Sequence, residues 1–137
     1  MPSRLPVLVV SSDSDNGRKL GSILSECGLD PIPTSTLEET QSLLGKRDML
    51  LVFCDAELAD GTFREVLRLA EAVKIPVVVA SRVHETLQYL EAMRLGAFDF
   101  ITTPYRRSEL EHIVASALHR PNAAAAGGGG GFSAVTR

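Results

Sequence analysis

Asp55 is the residue whose setting speaks most directly of chemistry. It ends the run Leu50-Leu51-Val52-Phe53-Cys54 and is followed by the turn Glu57-Leu58-Ala59-Asp60-Gly61. An apolar run that short, stopped by an acid and a glycine-containing turn, predicts a strand buried on both faces with Asp55 at its carboxyl end. In open α/β sheets that edge is where ligands bind and reactions occur. Two other apolar runs break off into polar side chains in the same way: residues 5–10 stop at Ser11-Ser12-Asp13-Ser14-Asp15, and residues 75–80 stop at Ser81-Arg82. Carboxylates gathered at such an edge suit a hard cation, and a single carboxylate can act as a nucleophile.

The remaining elements are those that must hold these residues in place. Leu20, Ile23, Leu24 and Cys27 make the i, i+3, i+4, i+7 stripe of a core-facing helix, closed by Gly28. Residues 30–34 predict a weak strand, and an edge strand, because Pro31 and Pro33 remove two donors. Thr36 caps a short helix with Leu37, Leu43 and Leu44 inward, and Glu39 completes a capping-box pattern. After Gly61 a helix turns Phe63, Val66, Leu67, Ala70 and Val73 to one side. Further helices are predicted over 84–95, stopped by Gly96, and over 108–119, where Leu110, Ile113, Val114, Ala117 and Leu118 form the apolar face. Residues 98–101 form a short strand leading to Thr102-Thr103-Pro104.

Five strand-helix pairs in strict alternation predict a parallel sheet with helices on both faces. Right-handed crossovers make a doubly wound (βα)5 flavodoxin-like sandwich, a five-stranded parallel sheet in the order 2-1-3-4-5, the simplest arrangement. The ordered domain is expected over residues 5–120. Residues 121–137, with four alanines and five glycines in succession, read as a flexible tail.

Composition narrows the classes. A chain of 137 residues with 45% hydrophobic and 23% charged residues has enough apolar surface for one globular core, which argues against both disorder and a membrane class. A net charge of -3 gives no sign of nucleic-acid binding. Cys27 and Cys54 have no metal or disulfide spacing and read as small buried hydrophobes. The start of the chain lacks the pattern of a signal peptide, and no run approaches the roughly 18 apolar residues of a membrane span, so a cytoplasmic protein is expected. His84, His112 and His119 have no ligand spacing.

Four motifs in order resemble the receiver domain of two-component response regulators. They are Leu8-Val9-Val10-Ser11-Ser12-Asp13; Asp55 with Leu58 and Asp60-Gly61; Pro76-Val77-Val78-Val79-Ala80-Ser81; and Gly96-Ala97-Phe98-Asp99-Phe100 followed by Thr103-Pro104. The resemblance implies that Asp55 is the phosphoacceptor, Ser81 the hydroxyl that senses the phosphoryl group, Phe100 the switch aromatic, and Pro104 a proline often preceded by a cis peptide bond. Ser11 and Ser12 stand where receivers carry two acids for Mg2+, and Thr103 stands where they carry a lysine.

Those departures bear on the chemistry. Phosphoryl transfer is catalysed mainly by positioning and by neutralising charge on the equatorial oxygens, and neutral hydroxyls replace anionic ligands of Mg2+ poorly. A weakened Mg2+ site is expected on Asp13 and Asp55, with Asp15 reaching it if the loop folds back. Glu57 falls where the family uses a backbone carbonyl, so its side chain is not an obvious ligand. Arg82 is the one cation near the acid. The implied function is a stand-alone, non-enzymatic receiver-like signalling domain of a phosphorelay, served by a histidine kinase or phosphotransfer protein. Output would pass to a protein partner, or to a second copy of the chain, through the face of the fourth helix, fifth strand and fifth helix. A phosphorylation-independent interaction module is the alternative, and a small flavodoxin-like cofactor-binding protein is disfavoured because no glycine-rich loop follows the first strand.

Overall fold

A computed structural model describes residues 4–83 and 85–119; His84 and the expected tail at 121–137 lie outside the described residues. Five strands form one parallel sheet. In chain order they are β1 (Leu5–Val10), β2 (Leu29–Thr34), β3 (Leu51–Asp55), β6 (Val77–Ser81) and β7 (Asp99–Thr102), hydrogen-bonded in the order β2-β1-β3-β6-β7. This is the doubly wound flavodoxin-like order expected from the sequence. The helices are α1 (Ser14–Glu26), α2 (Leu37–Lys46), α3 (Phe63–Ala72), α4 (Thr86–Arg94) and α5 (Arg107–Leu118). Between β3 and α3 the turn expected after Asp55 is a small antiparallel hairpin, β4 (Glu57–Leu58) with β5 (Gly61–Thr62).

Strand residues alternate between two cores, one on each face of the sheet. Val7, Val9, Leu51, Phe53, Val78 and Ile101 face one side, where Leu20 and Leu24 of α1 and Leu110 and Ile113 of α5 cover them. Leu8, Val10, Val52, Cys54, Val79 and Phe100 face the other, under Leu44 of α2, Phe63 and Val66 of α3 and Ala92 of α4. Because both faces are covered, the central strands read as continuous apolar runs and not as alternating ones.

The edge strand tolerates its two prolines for a geometric reason. Ser11 N–H donates to the Thr34 carbonyl at 3.0 Å, so Thr34 and Ile32 direct their backbone groups to β1, and Pro31 and Pro33 fall at the outward positions where no ladder donor is needed. The same prolines blunt the edge against pairing with another strand.

Helix starts follow their caps. The Asp13 carboxylate accepts from the Asp15 and Asn16 N–H groups at 3.0 and 3.2 Å. Thr36 Oγ1 accepts from Glu39 N–H at 3.2 Å, but the Glu39 carboxylate accepts from Ser35 N–H at 2.8 Å, one residue before the position a full capping box would use. The complete box is at α3, where Thr62 and Glu65 bond reciprocally. Two positions expected inward are not: Val73, the C-cap of α3, and Leu118, the last residue of α5, are 42% and 51% exposed. Each lies where its helix ends, past the last turn that packs on the sheet. Cys54 is buried as expected, whereas Cys27 is only half-buried.

Phe53 is fully buried at the centre of β3. Phe53→Ala is expected to lower unfolding free energy by about 3–5 kcal/mol in urea titration. Leu87→Ala, at a side chain 81% exposed, is expected to change it by no more than about 0.5 kcal/mol.

Candidate functional site

Parallel strands place all their carboxyl ends on one edge, and the residues singled out from the sequence meet there. Counting in twos from Leu51 and Phe53 puts Asp55 on the α1 and α5 face of the sheet, and the same count from Val7 and Val9 puts Ser11 beside it. Ser11 Oγ lies 2.5 Å from Asp55 Oδ2, and Asn16 Nδ2 donates to Asp55 Oδ1 at 3.1 Å. Asn16 Nδ2 also donates to the Tyr105 hydroxyl at 2.9 Å. Both carboxylate oxygens of Asp55 are therefore engaged by neutral donors. Burial raises the Asp55 carboxyl above its ordinary value, and the nearby Asp13 charge adds to this; the Ser11 and Asn16 hydrogen bonds and the Arg82 charge pull the other way. Burial also pushes the Tyr105 hydroxyl up to about 12, so it is neutral at physiological pH.

Asp13 is committed elsewhere. One oxygen caps α1, as described above, and the other forms an ion pair with Arg82. Ser12, the second of the two serines after β1, joins three loops: its hydroxyl donates to the Ser35 carbonyl at 3.0 Å and accepts from Ala59 N–H at 2.8 Å. Asp60 fixes the same hairpin by accepting from Leu37 N–H at 2.8 Å. At Gly61 a Cβ would meet the Leu37 side chain and the Glu65 carboxylate, both of which would have to shift to admit it.

A cavity of about 440 Å³ opens beside Asp55, with Asp13, Asn16, Ser81, Arg82 and Gln88 on its walls. Ser81 Oγ accepts from Val83 N–H at 3.3 Å, the bond of a strand-end hydroxyl. Thr103 N–H donates to the Ser81 carbonyl at 3.1 Å, and its hydroxyl lies 3.5 Å from the Arg82 carbonyl, so it puts no donor on Asp55. The Thr103–Pro104 peptide is cis. Phe100 lies on the opposite face of β7, only 7% exposed, with its ring edge-on to Tyr89 of α4 at 5.7 Å. Glu57 lines the cavity rim from an exposed position.

The structure thus brings together Asp55, Ser11, Asp13, Ser81 and Arg82, and keeps Phe100 in the core. Sequence reasoning missed Asn16 and Tyr105. Asn16 stands in the first turn of α1, three residues after the cap, and Tyr105 directly follows Pro104; nothing in either local sequence says that they meet.

No protein-family model matches the chain. Among curated proteins it is similar to the KDP operon transcriptional regulatory protein KdpE of Escherichia coli, 30% identical over 132 residues, which cover 95% of this chain and 59% of that protein. It is also similar to the response regulator protein PilR of Pseudomonas aeruginosa, 27% identical over 125 residues, covering 90% of this chain and 28% of that one. A solved two-component response regulator from Clostridium difficile superposes with a TM-score of 0.79 over 87% of this chain and 99% of its own, at 24% identity, and shares the fold. Curated relatives that are response regulators and structure neighbours that are receiver domains together support a response-regulator receiver domain. It spans between 28% and 59% of the length of the two curated relatives.

Receivers use Mg2+, and the donor set here does not fit it. No group of three or more acidic, histidine or cysteine side chains able to hold a metal occurs among the described residues. Asp55 is bonded by Ser11 and Asn16, Asp13 by its helix and Arg82, and Asn16 presents N–H groups, not its oxygen, to the acid. Asp15 does not turn back to the site but pairs with Arg18 at 2.7 Å.

The raised carboxyl value has a consequence for stability. The folded protein holds the Asp55 proton more tightly than the unfolded chain, whose carboxyl titrates near 3.8, so this group's contribution is present in acid and is lost as pH rises through the folded value. Asp55→Asn removes that loss. The expected outcome is a higher Tm than wild type at neutral pH, with the difference shrinking below about 3.8; equal displacement at both pH values would contradict it.

Proposed function

We propose that this receiver domain is a non-enzymatic signalling module that engages protein partners without Mg2+-dependent phosphorylation of Asp55. The observation that carries the reading is the state of the acid: Ser11 and Asn16 take both of its oxygens, while Asp13 is held by α1 and Arg82. Catalysis of phosphoryl transfer rests on positioned positive charge. Here the metal ligands are committed, Thr103 stands at the family's lysine position, and Arg82, the one nearby cation among the described residues, is paired with Asp13.

Output through the face of α4, β7 and α5 is supported by the apolar side chains that α4 leaves in solvent. Leu87 is 81% exposed and Leu90 53%, with Val83 just before the helix at 58%. Exposed apolar side chains gathered on one element mark a surface that associates with another protein. A protein partner or a second receiver would cover it. No helix among the described residues is long and apolar enough to cross a membrane, and the domain is read as cytoplasmic, with no nucleic-acid contact of its own.

A second reading keeps Asp55 as the phosphoacceptor of a histidine kinase or phosphotransfer protein, working from a degenerate pocket. It is favoured by the open cavity beside the acid, with Ser81 and Arg82 on its wall. Incubation with acetyl phosphate and Mg2+, followed by intact mass measurement of wild type and Asp55→Asn, separates the two. The expected result is no phosphoryl mass on either; a gain confined to wild type establishes the second reading and overturns the first.

A further inference from the structure

We infer that Ser11, Asn16 and Tyr105 form a hydrogen-bonded bracket that holds the Asp55 carboxylate where a receiver would use a divalent ion and a lysine, and that this bracket excludes the ion. The inference rests on the family assignment and deepens the functional reading by giving the pocket a positive structural role.

The bracket runs across four elements in sequence order. Ser11 follows β1, Asn16 is in α1, Asp55 ends β3, and Tyr105 lies between β7 and α5. Its links are Ser11 Oγ to Asp55 Oδ2 at 2.5 Å, Asn16 Nδ2 to Asp55 Oδ1 at 3.1 Å, and Asn16 Nδ2 to the Tyr105 oxygen at 2.9 Å. An amide nitrogen has two N–H donors, and Asn16 uses one on each partner. Its position is fixed in turn, because its own backbone N–H is bonded by the Asp13 cap. Ser11 is fixed as well: it is only 7% exposed, and its hydroxyl oxygen accepts from the Asp13 N–H at 3.2 Å. Gly17 one turn below leaves room for it, since a Cβ there would come within 3.2 Å of the Ser11 Cβ.

Exclusion follows from donor chemistry. A metal needs lone pairs from the residues around Asp55, but Asn16 and Ser11 turn hydrogens toward the carboxylate. To admit Mg2+, Asn16 would have to release both Asp55 and Tyr105, and Asp13 would have to release Arg82 and weaken the start of α1. Hydrogen bonds to a charged acceptor are the stronger kind, so the protein-held arrangement competes directly with the ion. Tyr105 acts through Asn16: it does not touch the acid, but it occupies the second N–H and so fixes the amide plane. Ser11, Asn16 and Tyr105 are positioning residues.

The test uses the whole chain, with Mn2+ as a paramagnetic probe of amide resonances, Mg2+ as competitor, and carbon NMR titration of the Asp55 carboxyl. Wild type is expected to show no saturable broadening centred on Asp55 at millimolar metal. Asn16→Ala is expected to move the Asp55 titration upward, because a donor to the charged form is lost, and Tyr105→Phe to move it the same way by less. Asn16→Asp keeps the shape but offers lone pairs; it is expected to gain Mn2+ broadening at Asp55 that Mg2+ displaces. Saturable, Mg2+-competed broadening in wild type overturns the inference, as does an Asp55 titration unmoved in Asn16→Ala. A phosphoryl mass gain in wild type without such broadening would defeat the functional reading and leave the bracket standing.

Discussion

A carboxylate that is mostly buried must find donors, and the architecture around Asp55 is arranged to supply them. The constraint begins in the sheet. With helices on both faces, every strand ends on the same edge, and the pleat sends Asp55 and Ser11 to the same side as α1. From that side the nearest donors are the Ser11 hydroxyl and the Asn16 amide, at 2.5 and 3.1 Å. Their hydrogen bonds favour the charged form against burial, which disfavours it.

The loops at this edge are held by a second layer of polar contacts. Ser12 links the loop after β1 to the backbone at Ser35 and Ala59, and Asp60 ties the β4–β5 hairpin to the start of α2. Arg82 reaches from the loop after β6 to Asp13. Asp13, expected from the sequence as a metal ligand, is a helix cap and an ion-pair partner here, and Ser12 and Asp60 are staples between loops. Ser12 in particular both donates and accepts, which an acid in its place would not do without losing the bond to the Ser35 carbonyl.

The other face of the sheet supplies no hydrogen bond to Asp55 among those that hold it. Phe100 is packed edge-on against Tyr89 in the core under α4, and α3 is joined to α4 by the Arg64–Glu91 ion pair, with both links at 2.6 Å. That pair is exposed and contributes little on its own, and Leu87 and Leu90 of α4 remain in solvent. The route from the acid toward α5 runs through Asn16 and Tyr105, on the opposite side of the sheet from Phe100.

The resemblance to receivers implies that Ser11, Ser12 and Thr103 stand in place of the usual acids and lysine. The fold and the placement of Asp55 at a strand end were legible without it. Those features follow from local pattern: apolar runs of strand length, stripes of helical period, prolines confined to an edge, and polar residues where strands stop. The sequence could not say what replaced the missing groups. Asn16 and Tyr105 are 89 positions apart, and each is unremarkable in its own segment. They meet because parallel strand order sets α1 and the start of α5 side by side over the carboxyl edge, and the Asp13 cap points the Asn16 side chain at Asp55. Hydrophobic period is read along a chain, whereas a hydrogen-bonded bracket depends on distances across it, and only the tertiary structure decides those.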